Sequence, residues 1–154
     1  MRSPRVEDLR LLTGGGRFTD DAPPPGALRA VFLRSPHAHA RLTRLDATAA
    51  RAMPGVVVIL TAEDVAAFGA GNVSRPMPAT GRDGRALIVP RRPALAEGRV
   101  MHVGQPVALV LAGSEAAALD AAEAVEAEYE PLPAAIGTRA ALEPGAPDVW
   151  PEAP

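Results

Sequence analysis

The chain has 154 residues, 47% hydrophobic, 3% aromatic and 22% charged, with a formal net charge of −2. One domain of this length buries roughly 70% of its unfolded surface, enough for a core without staples. With no cysteine, and with all 16 basic residues being arginine, it excludes disulfides, thiolate metal sites, iron–sulfur ligation, Schiff bases and lysine-borne biotin or lipoyl groups.

Balanced charge and scarce aromatics argue against nucleic-acid binding. No apolar run approaches the about 20 residues that span a bilayer. Residues 1–10 carry charges of both signs around no apolar stretch, so they do not read as a secretory signal, and a cytoplasmic location is expected.

Residues 1–26 contain Gly14-Gly15-Gly16, Asp20-Asp21 and a proline run, and are expected to form a surface-hugging arm. Residues 27–34 (ALRAVFLR) read as a strand, broken by Ser35-Pro36, and residues 37–45 continue as a second extended stretch. Asp46 can cap a short helix reaching Met53, which Pro54-Gly55 ends. Residues 56–60 (VVVIL) are continuously apolar, as in a strand buried on both faces. Thr61 then caps a helical turn whose Glu63 and Asp64 suit the helix dipole.

Residues 68–84 are rich in Gly, Pro, Ser and Asn and read as an exposed loop. A short strand is expected at 85–90 and another extended piece at 100–103, turning at Gly104 and Pro106 into a buried strand at 107–111 (VALVL). Ser114 caps the longest helix, running to Val125 with Ala118, Leu119, Ala122 and Val125 on its inner face. Residues 126–130 return as a strand, and a last helical turn covers 138–142. The order defines an α+β fold with a mixed or antiparallel sheet and two main helices. The expected organisation is an arm (1–26), a globular domain (27–142) and a proline-rich linker (143–154).

Chemistry-bearing residues are sparse. The glycine triplet lacks the preceding strand and following helix of a phosphate loop and reads as a turn. His37 and His39, two apart, would share one face of a strand and could hold a metal with His102 or Asp46 as third ligand. Polar packing or a subunit contact is the plainer role. Glu126, Glu128 and Glu130 alternate along a strand and read as a solvated face rather than an acid–base pair. The serines at 3, 35, 74 and 114 all sit as caps or turns, and no nucleophile elbow occurs. No set of residues adds up to a catalytic, cofactor-binding or metal site.

Five segments in order carry a resemblance. They are RVEDLRLLTGGGRFTDD (5–21), LRSPHAHARL (33–42), PGVVVILTAEDV (54–65), VGQPVALVLA (103–112) and AALDAAEAVEAEYEPLPA (117–134). Together they resemble the a/b hammerhead domain of aldehyde oxidases, xanthine dehydrogenases and carbon monoxide dehydrogenases, over about residues 5–146. The resemblance implies a structural domain, or small split subunit, at the N-terminal end of a molybdenum hydroxylase large subunit. Such a piece packs against the molybdopterin-binding region and is not catalytic alone. It also implies that the molybdenum–molybdopterin lies in that partner region, with iron–sulfur clusters and FAD on other subunits. Gln105 stands where the pattern has glutamate, so a salt bridge from that position would be lost while Gly104 and Pro106 keep the turn. Two other readings remain open on the residues: a free-standing small-molecule binding or regulatory module using loop 68–84, and a small metal-dependent hydrolase using His37 and His39.

Overall fold

The computed structural model describes residues 5–70, 72–73, 80–86 and 89–150. Its strands are β1 (Arg29–Arg34), β2 (Ala40–Asp46), β3 (Val56–Leu60), β4 (Arg99–Val100), β5 (Pro106–Ala112) and β6 (Glu126–Pro131). The α-helices are α1 (Asp8–Leu12), α2 (Thr48–Arg51), α3 (Ala62–Ala67), α4 (Glu115–Glu123) and α5 (Thr138–Ala141). The α+β class stands, with all pairings antiparallel, but the strands form two three-stranded sheets, ordered β1-β5-β3 and β4-β2-β6, rather than a single sheet. The cause lies at residues 35–39. There the Ser35 N–H donates to the Gln105 carbonyl at 2.9 Å and the chain leaves the first sheet before β2 begins the second.

A bulge lets β5 serve both halves. Leu33 pairs with Ala108 but Arg34 pairs with Pro106, so Val107 is an extra residue. Val107 and Ala108 are consecutive and both fully buried, because they enter different cores. Ala108, Val110 and Ala112 join Ile59 and the helices in the larger core; Val107 joins Ala40, Ala96 and Val100 in the smaller. Leu33 and Leu45 pack against both. Each fully buried Val or Ile contributes about 1.5–3 kcal/mol.

The long helix α4 lies on β1 and β5 through Ala118, Ala121 and Ala122, followed by Val125, at the i, i+3, i+4, i+7 spacing of one helical face. Leu119 does not belong to that face and is 47% exposed; Ala121 takes its expected place. The Ser114 hydroxyl accepts the Ala117 N–H at 3.2 Å and caps the first turn, as expected. Strand β3 is an edge of its sheet, not a strand buried on both faces, and a bulge turns Val57 outward to 59% exposure. Gly55 enters β3 at φ 83°, and a Cβ there would stand 3.2 Å from that of Ala117. Backbone conformation and helix proximity both require glycine at this turn.

Helix α2 ends at Arg51; only single turns, Ala52 N–H to Ala49 O and Met53 N–H to Ala50 O, continue toward Met53. In the expected strand at 85–90, Ala86 makes an isolated bridge with Thr80, and residues 87–88 lie outside the described residues. The piece at 100–103 is a strand only to Val100 and then turns.

Candidate functional site

The acidic strand comes first. Arg41 and Arg44 are three apart in β2 and by plain alternation would face opposite ways. Leu42 pairs with Tyr129 and Arg44 with Glu128, leaving Thr43 as a bulge, so both guanidinium groups reach the glutamates of β6. Arg41 bonds Glu130 at 2.9 Å, and Arg44 meets Glu128 at 3.2 Å, Glu126 at 3.1 Å and Asp46 at 2.9 Å. The three glutamates are therefore not simply solvated: each carries an arginine across the strand pair. Glu128, with Asp46 and Glu126, holds Arg44 more firmly charged than a free guanidinium. Asp46 accepts the Thr48 N–H at 2.9 Å, and that bond chiefly draws its carboxyl below the ordinary value. Every carboxylate here is paired with an arginine.

The histidines separate. His37 and His39 lie in the irregular connection before β2, not on a strand, so the shared face expected from their spacing does not form. His37 rests against Tyr129 with ring centroids 4.9 Å apart. His39 is 5% exposed and its Nδ1 lies 2.6 Å from the Pro133 carbonyl. A carbonyl only accepts, so Nδ1 carries a proton, and Nε2 is buried without a partner among the described residues. His102 is exposed, with Nδ1 3.0 Å from the Val103 carbonyl, and Asp46 is taken by Arg44 and Thr48. Among the described residues no group of three His, Asp or Glu side chains could hold a metal ion.

A buried polar knot ties β1 to β5. The Ser35 hydroxyl accepts the His37 N–H at 3.0 Å, and the Ser35 carbonyl accepts the Gly104 N–H at 2.8 Å. Gln105, 5% exposed, accepts the Met101 N–H through Oε1 at 2.6 Å. This amide binds backbone, and Gly104 at φ 80° makes the turn before it. Burial pushes the Tyr129 hydroxyl above its ordinary value, and a hydrogen bond with Ser35 pulls partly back. Of the other serines, Ser3 and Ser74 lie outside the described residues.

Two grooves open on the surface. One, of about 720 Å³, has Arg44, Arg51 and Arg91 in its walls, but these are paired with the β6 glutamates, Asp64 and Glu97 respectively. The other, of about 650 Å³, is lined by Phe32, Val65, Leu109, Gln105 and Trp150. Trp150 was unforeseen here, since nothing in the proline-rich 143–154 stretch marks it as touching the body. Its indole N–H is buried with no acceptor among the described residues. Sequence reading also missed Arg41 and Arg44, which the bulge alone brings together.

The glycine triplet is a turn. Gly14 has φ 74°, and a Cβ on Gly16 would stand 2.8 Å from Leu11 Cδ2. These glycines let the arm fold back on itself.

The fold is two bulged antiparallel sheets, with side chains of β5 entering both cores and an alanine-faced helix on one sheet. Residues 13–133 match the family described as aldehyde oxidase and xanthine dehydrogenase, a/b hammerhead domain, and the chain belongs to that family. The nicotine 6-hydroxylase large subunit of Paenarthrobacter nicotinovorans is 41% identical over 144 residues, 94% of this chain and 17% of that one. The xanthine dehydrogenase molybdenum-binding subunit of Escherichia coli O157:H7 is 36% identical over 142 residues, 90% and 18% of the two chains. Among solved structures, quinoline 2-oxidoreductase from Pseudomonas putida 86 superposes with a TM-score of 0.79 at 42% identity, over 90% of this chain and 17% of that one. The chain thus spans about a sixth of the length of the relatives it matches.

Proposed function

We propose that this chain is a structural and assembly domain, or a small split subunit, of a molybdenum hydroxylase of the xanthine dehydrogenase, aldehyde oxidase or carbon monoxide dehydrogenase type. One observation carries the reading: nearly the whole chain matches its relatives, yet it accounts for about a sixth of their length. Catalytic, cofactor-binding and metal residues then belong to the remainder of the enzyme. Molybdenum–molybdopterin sits in the region this domain packs against, and iron–sulfur clusters and FAD sit on other subunits. The layout is an arm at 1–26, the hammerhead at 27–142 and a connecting tail at 143–154. Every described residue before 29 except Asp8 and Gly16 is exposed, which supports the first boundary. No helix among the described residues is long and apolar enough to cross a membrane, and a cytoplasmic enzyme fits that.

The test is co-expression of the full chain with the part of a relative's large subunit that it does not match. A stable complex by size-exclusion chromatography is expected, while the isolated chain binds no molybdenum by elemental analysis. Stoichiometric molybdenum in the isolated chain, or hydroxylation by it, overturns the proposal.

The groove at Phe32, Leu109 and Trp150 favours one alternative, a free-standing module binding a small apolar molecule. Trp150 is the single tryptophan, so a ligand there would shift its fluorescence and raise the melting temperature together.

A further inference from the structure

The arm before β1 is ordered locally but makes no core of its own. Asp8 accepts the Arg5 N–H at 3.0 Å and opens α1. Thr13 Oγ1 donates back to the Leu9 carbonyl at 2.8 Å, and the N–H groups of Gly14 and Gly15 close the helix on Leu11 O and Arg10 O. Beyond the glycines, the Phe18 N–H donates to Asp21 at 2.8 Å and starts a 3-10 turn, Thr19–Asp21. This small unit then presents its apolar side chains outward: Val6 is 99% exposed, Leu9 74%, Leu12 86% and Phe18 68%. Polar surface usually accompanies so exposed a segment. Four large apolar groups within 13 residues on a capped, pre-shaped segment instead mark a contact surface. Val6, Leu9 and Leu12 follow each other at i, i+3 spacing, which aligns them along one side of the turn and helix.

We propose that this arm is the docking element that seats the domain on the molybdopterin-holding remainder of the enzyme, its leucines and Phe18 entering an apolar groove there. The inference rests on the function proposed above. Two observations name the occupant. The nicotine 6-hydroxylase match covers 94% of this chain, so it reaches into the arm and includes residues 11–18 whichever end is left out. The same match leaves about five-sixths of that subunit beyond it, and that remainder is what the arm has available to pack on. Because α1 and the 3-10 turn are formed before contact, docking orders little new backbone.

The experiment compares the full chain with the double variant Leu9→Glu/Leu12→Glu, each binding the unmatched part of a relative's large subunit. Both positions are exposed, so the variant should keep the circular dichroism and melting transition of the parent. Its affinity should fall at least tenfold. A synthetic peptide of residues 5–18 should displace the parent chain from the complex, which gives a reading that does not depend on how the variant folds. Equal binding by parent and variant, with no displacement by the peptide, overturns the arm as docking element and leaves the assembly function intact. No binding by the parent at all overturns that function itself. Concentration-dependent self-association of the parent, abolished in the variant and unaccompanied by a complex, overturns the proposal in favour of a second copy as occupant.

Discussion

Substitution of Ala118 by leucine probes how α4 sits on its sheet. Ala118 is fully buried, with Ala121, Ala108 and Ala112 equally enclosed around the same contact. Leucine adds three carbons, and if space existed their burial would contribute roughly 2–2.5 kcal/mol, at about 0.8 kcal/mol each. The enclosing shell of small, fully buried groups leaves no such space. The helix must lift or the side chain must leave its rotamer, for a net loss of about 1–3 kcal/mol. Helix propensity does not confuse the result, because leucine is within a few tenths of a kcal/mol of alanine (roughly 0.2). Ala116→Leu, on the exposed side of the same helix, is the matched control and should stay within about 0.5 kcal/mol of the parent. Urea denaturation followed by circular dichroism measures both, with an unchanged slope and a lower midpoint expected for Ala118→Leu alone. Should the two variants unfold at the same midpoint, the close alanine seat of α4 is refuted.

Tyr129 is the single tyrosine, so absorbance titration reads it alone, and its midpoint should lie above the ordinary phenol value. Ser35→Ala removes the bond that pulls the value back and should raise the midpoint further. Because the folded value is the higher one, stability should fall as pH rises from the unfolded toward the folded midpoint. Asp64 accepts the Thr61 N–H at 2.8 Å and hydroxyl at 2.9 Å, and the first of these chiefly lowers its value. Asp64→Ala should cost about 1 kcal/mol at neutral pH by thermal or urea unfolding. That difference should fade below about pH 4, as the depressed carboxyl of the parent takes up its proton. Gly104→Ala should cost about 1–2 kcal/mol in the same assay, since φ 80° is strained for any Cβ although nothing stands within 4 Å. Asparagine there should lose less.

Most elements were legible because their signals are local. Alternation, continuous apolar runs and the caps at Ser114 and Thr61 depend on neighbours a few residues away, and β1, β5, α4 and β6 follow from them. What was illegible depends on partners far along the chain. A single sheet, mixed or antiparallel, was expected because strand count says nothing of where the chain leaves a sheet, and the exchange of hydrogen bonds between Ser35 and residues 104–105 decides that. The apolar run at 56–60 suggested a central strand, yet an edge strand that bulges at Val57 has the same composition. The inner face of α4 was assigned by hydrophobicity, which favoured Leu119 over Ala121, while the sheet selects for small size. His37 and His39 looked like a pair because a strand was assumed beneath them. Their five-residue connection has no such period. The family signature was readable throughout, since it rests on residue order and not on pairing.

The extra residue at Thr43 sets how β2 can vary. Before it Ala40 and Leu42 face inward, after it Leu45 does, and the two halves are out of step by one. Exchange of one side chain for another leaves that phase alone. Loss of Thr43 as a whole codon would remove the bulge and restore plain alternation, with Leu42 and Leu45 still inward and Arg41 and Arg44 still side by side toward the β6 glutamates. The bulge is where this strand has a residue to spare.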